Sequence, residues 1–466
     1  MELPVVPQEA SDTILAECLG RPRAYYELGK LCDSVGGRTS GAPSGVKGEE
    51  WAADLMERWG LENVRYETLP VLCWTRGELS VTTVGEFGWK LTAIAHGYSP
   101  EAADFEADLI SLGHGERQDY LDAGDRVKGC VVLCDEGVAE GHRRLHRSEK
   151  LLLAAEFGAA ALFMYSSASG GLPRTGVCSR SRAPIAGIGI SQEDGLRLLR
   201  QLEHGTPPRV RVSMINSFTE SSARNVIGEL RGSEAPDEVI LAGAHLDSWD
   251  VATGATDNGL GSAIVLEMGR VLASLSRRPK RTMRFAIWAA EEVGLLGSHH
   301  YCREHSTELD QLAAVVNFDM TADPYGFWVP GTGDCLSCTP GLKVLKQLAA
   351  LLAPIGMTSA VVNVAGLHSD HQPFMLEGVQ AIALLAENKT QGAHYYHSVG
   401  DTFDKVSLPA MCRASAVGAH TLWALADADE RPFPRWNAKQ VRGLIDEANL
   451  YGALQAEGFD GPPMHI

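Results

Sequence analysis

Five short segments hold the residues whose types and spacing could do chemistry. They are His245-Leu246-Asp247, Thr256-Asp257-Asn258-Gly259, Glu291-Glu292, Asp319 and the segment ending in His397. Singly, each has an ordinary structural reading. A His at a strand end is commonly a hydrogen-bonded framework residue, an Asp beside a helix start an N-cap, and a Glu pair in a first turn a complement to the helix dipole. Together they would crowd several carboxylates and two imidazoles into one crevice, where like charges cannot all stay ionised without a cation. Two divalent metal ions would resolve that crowding. Imidazole and carboxylate donors with no thiolate cage fit zinc. A two-metal hydrolytic centre also needs a carboxylate that accepts a water proton and is not itself spent on a metal. The adjacent Glu291 and Glu292 can divide those tasks, and Asp247, two residues after His245, is placed to hold the imidazole in one tautomer.

The elements around these segments explain why they should meet. From Asn225 onward strands alternate with helices, which predicts crossover units and a mainly parallel sheet. Strands are expected at 238–248, 283–290, 313–320, 359–365 and 379–387, with helices at 259–275, from about Val293, and at 343–353. The chemical segments fall at or just beyond the carboxyl ends of these strands, the edge where open parallel sheets bind ligands. The first 70 residues read as helical, with Ser11-Asp12 as a cap and a second helix over 48–59. The intervening GGRTSGAPSG (36–45) reads as a plain surface connection.

Residues 105–220 read as a separate unit. It has strands at 126–135, 160–166, 185–190 and 209–215, a helix at 146–158, and a capping box of Ser191 and Asp194. Lacking a cluster of His and acidic residues at ligand spacing, this unit is expected to be accessory rather than part of the chemical centre. The fold class is therefore α/β, a mainly parallel mixed sheet with helices on both faces plus an inserted β-rich α/β domain. A discontinuous catalytic domain is expected over 1–104 and 221–430, and a capping C-terminal tail over 431–466.

Composition excludes several classes. The 466 residues are 45% hydrophobic and 21% charged, in the globular range, and carry a formal net charge of −18. That charge disfavours non-specific binding to nucleic acid or anionic membrane. No apolar run approaches membrane-spanning length. The N-terminus MELPVVPQEASDTILAECLG lacks a basic region, and ten scattered cysteines do not form a disulfide framework. The cytoplasm is the expected location, with secretion the alternative if an export signal has been removed. H-E-x-x-H, G-x-S-x-G, Walker A and G-x-G-x-x-G motifs are all absent. Cys335-Leu-Ser-Cys338 is a lone C-x-x-C, and the sequon Asn388-Lys-Thr390 has no meaning in a cytoplasmic protein.

The segments AGAHLDSWDVATGATDNGLGSA, WAAEEVGLLGS, NFDM, HSDHQPF and HYYHSVGDT, with GGRTSG and ARNVIGELRG upstream, resemble the signature segments of the co-catalytic zinc exopeptidases. This is the aminopeptidase and glutamate carboxypeptidase superfamily, and the carboxypeptidase Q pattern is the nearest. The resemblance spans nearly the whole chain, and residues 105–220 look like the protease-associated domain that such enzymes carry as an insertion. It implies Asp257 as the carboxylate bridging both metals, His245 and Asp319 completing one site, and Glu292 and His397 completing the other. It also implies Glu291 as general base and Tyr396, beside Tyr395, near the developing oxyanion. Ser369, Asp370 and His371 sit in a loop resembling a substrate-side loop, and a helix cap ahead of Pro373-Phe374 is an equal reading. The implied substrate is a dipeptide or small peptide with free termini, and a homodimer is what the resemblance suggests. Trp249 and the PKRTMRFAIWAAEE segment point to carboxypeptidase Q, whereas TDNG and HSDHQPF are nearer the aminopeptidase pattern. Aminopeptidase is thus the runner-up. A non-catalytic receptor-like binding protein is the rival from another class, disfavoured because all five ligand positions and the general base are present.

Overall fold

The computed structural model describes residues 5–86, 88–205, 207–330, 340–387 and 392–458. Cys335, Cys338 and the 388–390 sequon lie outside them. Thirteen strands among the described residues join one sheet. They are β1 (Glu62–Val84), β2 (Ala93–Ala95), β3 (Ala102–Ser111), β4 (Val131–Asp135), β5 (Ala161–Tyr165), β6 (Ala186–Ile190), β7 (Arg209–Leu230), β8 (Ala235–His245), β9 (Arg281–Trp288), β10 (Leu312–Asn317), β11 (Pro324–Trp328), β12 (Ala360–Val362) and β13 (Ala381–Ala386). The order is β12-β11-β13-β10-β8-β9-β7-β3-β4-β5-β6-β2, with β1 paired to β7.

The heart of this sheet is the parallel set β13-β10-β8-β9. Register makes its carboxyl edge nearly level: His245 lies opposite Trp288, and Asn317 lies opposite both Gly243 and Ala383. Side chains following these four strands therefore emerge along one line. The strands are almost wholly buried because helices cover them. Helix Leu260–Ala273 is buried nearly all round, wedged between the sheet and helices Gln8–Gly20 and Leu408–Asp427.

Strand β7 links the two halves of the molecule. Its first half pairs antiparallel with β3, its last residues pair with β9, and β1 runs beside it from Glu62 to Val84. Beyond β3 lies the parallel run β3-β4-β5-β6, with helices Arg147–Glu156 and Gln192–Glu203 following β4 and β6. This unit has its own apolar clusters on its two faces. No helix among the described residues is long and apolar enough to cross a membrane.

Several local expectations are corrected. The helical region ends at Arg58, and from Glu62 the chain is strand, because Val64, Tyr66 and Thr68 alternate at period two and suit a half-covered ribbon. The first helix starts after Pro7 rather than at Ser11, whose hydroxyl instead pairs with His420 Nε2 at 2.9 Å across the helix interface. The helix expected from Val293 starts at Leu296, because Gly294 and Leu295 take positive φ values of 119° and 60° first. Ser191 caps its helix, accepting from Asp194 N at 3.2 Å. The Asp194 carboxylate serves Thr92 N and the Trp89 indole instead of returning to the N-cap amide.

Candidate metal centre and catalytic cleft

Each chemical segment is held by backbone hydrogen bonds that do not involve its reactive atoms. His245 is the last residue of β8, and its Nδ1 pairs with the Asp247 carbonyl at 3.0 Å, leaving Nε2 to face the cleft. The Asp247 carboxylate is 3.6 Å from Nδ1 and does a different job. Its two oxygens accept from the backbone N–H of Glu291 (3.0 Å) and Glu292 (3.2 Å), fixing the Glu pair as it leaves β9. Asp257 stands just before helix Leu260–Ala273. Asp401 holds that turn, one oxygen accepting from Thr256 N and Oγ1 (2.7 and 2.6 Å) and the other from Asp257 N (3.1 Å). Asn258 ties the same turn to the end of β10 by donating to Phe318 O and accepting from Met320 N. Asp319 follows β10 and accepts from Ser369 Oγ at 2.7 Å, which in turn accepts from Asn317 Nδ2.

The reactive atoms fall into two groups: His245, Glu291 and Asp319, and Asp257, Glu292 and His397. In each, one donor atom per residue lies within 4.8 Å of the others. Asp257 spans both. One oxygen is 3.3 Å from His245 Nε2 and the other 3.1 Å from His397 Nε2. Glu292 Oε2 is 3.0 Å from His397 Nε2 and accepts the Trp249 indole N–H at 2.6 Å. Glu291 and Asp319 stand 3.8 and 3.6 Å from His245 Nε2. Although three carboxylates surround it, His245 Nε2 is buried without a hydrogen bond, as is Glu292 Oε1. Orphaned buried donor and acceptor atoms are expensive unless something else satisfies them. Four carboxylates and two imidazoles aimed at a common space form a donor set that divalent cations fit.

The electrostatics agree. Burial lifts Glu291 well above the usual carboxylate range, and the Asp319 and Glu292 charges add to it. Burial works to keep His397 neutral, yet Glu292 and Asp257 outweigh it and hold the ring at about 9. Negative charge is thus crowded around both imidazoles, an arrangement that divalent cations would offset.

These groups form one wall of a cavity of about 390 Å³. Tyr396 lines it, its ring stacked 3.7 Å from that of His397, whereas Tyr395 packs under Lys405 instead. Ser369 and His371 line the cavity. Asp370 does not, its carboxylate accepting from Ser298 Oγ at 2.6 Å. Asp370 precedes helix His371–Leu376 without capping it.

Two expectations fail at this cavity. The inserted unit contributes directly to it through His146, Arg147, Ser148, Val177, Ser179 and Arg180. Thr175 O also accepts from His397 Nδ1 at 3.3 Å. A sequence search for ligand clusters missed this because the unit supplies wall residues from one helix start and one loop, neither carrying an acidic cluster. The GGRTSG segment is not a surface connection either. Arg38 is 0% exposed, and its guanidinium donates to the carbonyls of Leu246, Thr253 and Gly254 at 2.6–2.7 Å and of Gly36 at 3.1 Å. A lone Arg among glycines and serines was the available signal. Asp401 was legible as the acid four residues after His397. Glu457 in the tail carried no signal, yet it lines the cavity while paired with His368 and Arg180.

Comparison with known proteins agrees with this architecture. The model of peptidase family M28 matches residues 225–422, and that of the PA domain matches residues 97–198. Rat carboxypeptidase Q is 30% identical over 421 residues, covering 88% of this chain and 86% of the relative. Aminopeptidase YwaD of Bacillus subtilis is 27% identical over 418 residues, with the same coverage of each chain. The crystal structure of a peptidase M28 precursor from Shewanella amazonensis superposes with a TM-score of 0.80 at 25% identity, over 92% of this chain and 99% of that one. The chain belongs to peptidase family M28: it is a hydrolase with a PA domain inserted into its sheet.

Proposed function

We propose that this hydrolase is a two-metal exopeptidase that cleaves dipeptides or small peptides with free termini, in the manner suggested by its likeness to carboxypeptidase Q. One observation carries the reading: Asp257 offers one oxygen to each imidazole, between two buried groups whose His245 Nε2 and Glu292 Oε1 lack hydrogen bonds. In this reading Asp257 is shared, His245 and Asp319 complete one site, and Glu292 and His397 the other. Imidazole and carboxylate donors without thiolate favour zinc. When bound, the two ions would polarise the scissile carbonyl and make water acidic enough to yield its proton near neutral pH.

Glu291 takes the proton of the attacking water and returns it to the leaving amine. It is the carboxylate farthest from His245 Nε2 of the three around that atom, and burial supports its basicity. Tyr396 turns its hydroxyl toward the oxygen that gains charge. Asp247 is a positioning residue, clamping the backbone of the Glu pair. Residues 1–104 and 221–430 would form the catalytic part and 105–220 the insertion. The low cysteine density, ten in 466 residues, supports a reducing compartment.

Aminopeptidase activity is the second reading, favoured by the TDNG and HSDHQPF segments and by the YwaD likeness. The test is elemental analysis together with a panel of dipeptides carrying free, N-blocked or C-blocked termini. Cleavage that survives N-blocking but not C-blocking supports the carboxypeptidase, and the reverse pattern the aminopeptidase. Glu291→Gln should keep its metal and lose turnover by roughly 10²–10⁴-fold. A metal-free, chelator-indifferent protein, or a Glu291→Gln variant with wild-type turnover, would sink the reading.

A further inference from the structure

We infer that Arg76, on the β1 ribbon, is a positioning residue for one metal ion only, the one offered Asp257, Glu292 and His397. The inference rests on the two-metal reading and adds that one of the two ions depends on how the inserted domain is seated.

The first argument is how Glu292 and His397 are held. Each takes its orienting bond from a loop rather than from the sheet. Glu292 Oε2 accepts the indole N–H of Trp249, in the loop after β8. His397 Nδ1 pairs with Thr175 O at 3.3 Å, and the His397 carbonyl accepts from Thr175 N at 2.9 Å. Thr175 belongs to the insertion, in the long connection between β5 and β6. A ring nitrogen tied to a carbonyl fixes the aim of the other ring nitrogen. Loops move more easily than strand ends, so two ligands held in this way need their loops fixed to each other.

Arg76 makes that connection. Its Nε and NH2 donate to the carboxylate of Asp250, the neighbour of Trp249, at 3.0–3.2 Å. NH2 also donates to Thr175 Oγ1 at 3.1 Å, and NH1 donates to Ala95 O, where the chain enters the insertion. Thr175 Oγ1 closes the ring by donating to Ala95 O at 2.9 Å. A planar guanidinium serves three partners from fixed directions, which an ammonium does not. The Arg76 side chain is only 12% exposed, and its Cζ lies 4.8 Å from the centre of the Trp74 ring, so one side of the Asp250 pair is shielded. The register of β1 against β7 breaks between Arg76 and Leu79, the kind of irregularity that re-aims a side chain. The insertion in turn leaves room for Trp249. A Cβ built on Gly97 would stand 2.0 Å from Cη2 of that ring, so only glycine fits against it.

The other group is held differently. His245 is fixed by the Asp247 carbonyl, Glu291 by the Asp247 carboxylate, and Asp319 by Ser369, all outside the insertion. Loosening Arg76 should therefore reach one ion and spare the other.

The test is calorimetric titration of zinc into full-length chain stripped with chelator, with zinc content checked by elemental analysis. Wild type should take up two ions. Arg76→Met should weaken one of them roughly 10- to 100-fold and leave the other within about twofold. Arg76→Lys keeps the charge without the fork and should recover part of the loss. Asp250→Asn, at a partly exposed position, should weaken the same ion, and it carries the test if Arg76→Met does not fold. In a His397→Ala background, where that ion is already lost, Arg76→Met should leave the remaining ion unaltered. Equal weakening of both ions overturns the inference, because a general loosening of the fold would do that. So does wild-type affinity for both ions in Arg76→Met, or an effect that persists in full without His397. A wild type that takes up fewer than two ions sinks the two-metal reading and this inference with it, whereas two ions with no selective loss sinks the inference alone.

Discussion

Replacing Arg38 by Met tests whether a buried cation that touches none of the reactive atoms sets their spacing. Its guanidinium bonds four carbonyls in two loops. Leu246 directly follows His245, and Thr253 and Gly254 lead into the Asp257 turn. Arg38 N and O are also both used, by Ser248. Met has a similar unbranched stem but no donor, so Arg38→Met strands carbonyls that lie out of reach of bulk water. Hydrogen bonds to a charged group contribute ~1.5–3 kcal/mol each, and an unsatisfied buried carbonyl loses ~1–3 kcal/mol. These terms are not additive. A water entering the vacated space recovers part of the loss, and the variant no longer buries a cation. The net destabilisation should be roughly 3–6 kcal/mol.

The loss should fall where the guanidinium acts. Urea unfolding followed by tryptophan fluorescence reports stability, and chelator competition reports metal affinity, which should drop roughly 10- to 100-fold as the His245 and Asp257 loops relax. A chain with an inserted domain need not unfold in one step, so the transition to compare is the one that moves with added metal. Arg38→Lys keeps the charge but not the planar fork and should fall between the two. If Arg38→Met stays within about 0.5 kcal/mol of the wild type, the range of an ordinary surface change, with unaltered metal affinity, the reasoning is wrong and the segment is a simple connection after all.

Asp257→Ala removes the carboxylate shared by both imidazoles, and elemental analysis should find metal lost from both sites together; retention of a full complement would contradict the shared role. Trp249→Phe keeps the ring packed beside His397 and Trp74 but removes the N–H that Glu292 accepts, so metal affinity should fall about tenfold with little change in the urea midpoint. Unaltered affinity in that variant would show that the indole only fills space.

What could be read from the chain follows from how each residue reaches the cleft. His245, Glu291, Glu292 and Asp319 come from strand ends, and parallel register carries every such end to one edge, so locating the strands locates the residues. Asp257 and His397 are reached through motif spacing beside that edge. Residues brought in by packing between units obey no such rule. Arg147 opens a helix of the insertion, Glu457 closes the tail and Arg38 sits in a glycine-rich loop, and each has an unremarkable local sequence because its partner is hundreds of residues away or lies across a domain boundary. Strand β1 was missed, and β7 read only over 209–215, for a related reason. Their pairing is tertiary, and one exposed face leaves only a weak alternation in β1. The consequence is a division of labour. The candidate metal ligands are encoded locally at strand ends, while His146, Arg147, Ser148, Val177, Ser179 and Arg180 reach the cavity wall from the insertion, on elements separate from that sheet edge. On that argument, exchange of the inserted unit's cavity-lining residues should alter which peptide terminus is read before it alters whether a peptide bond is cut.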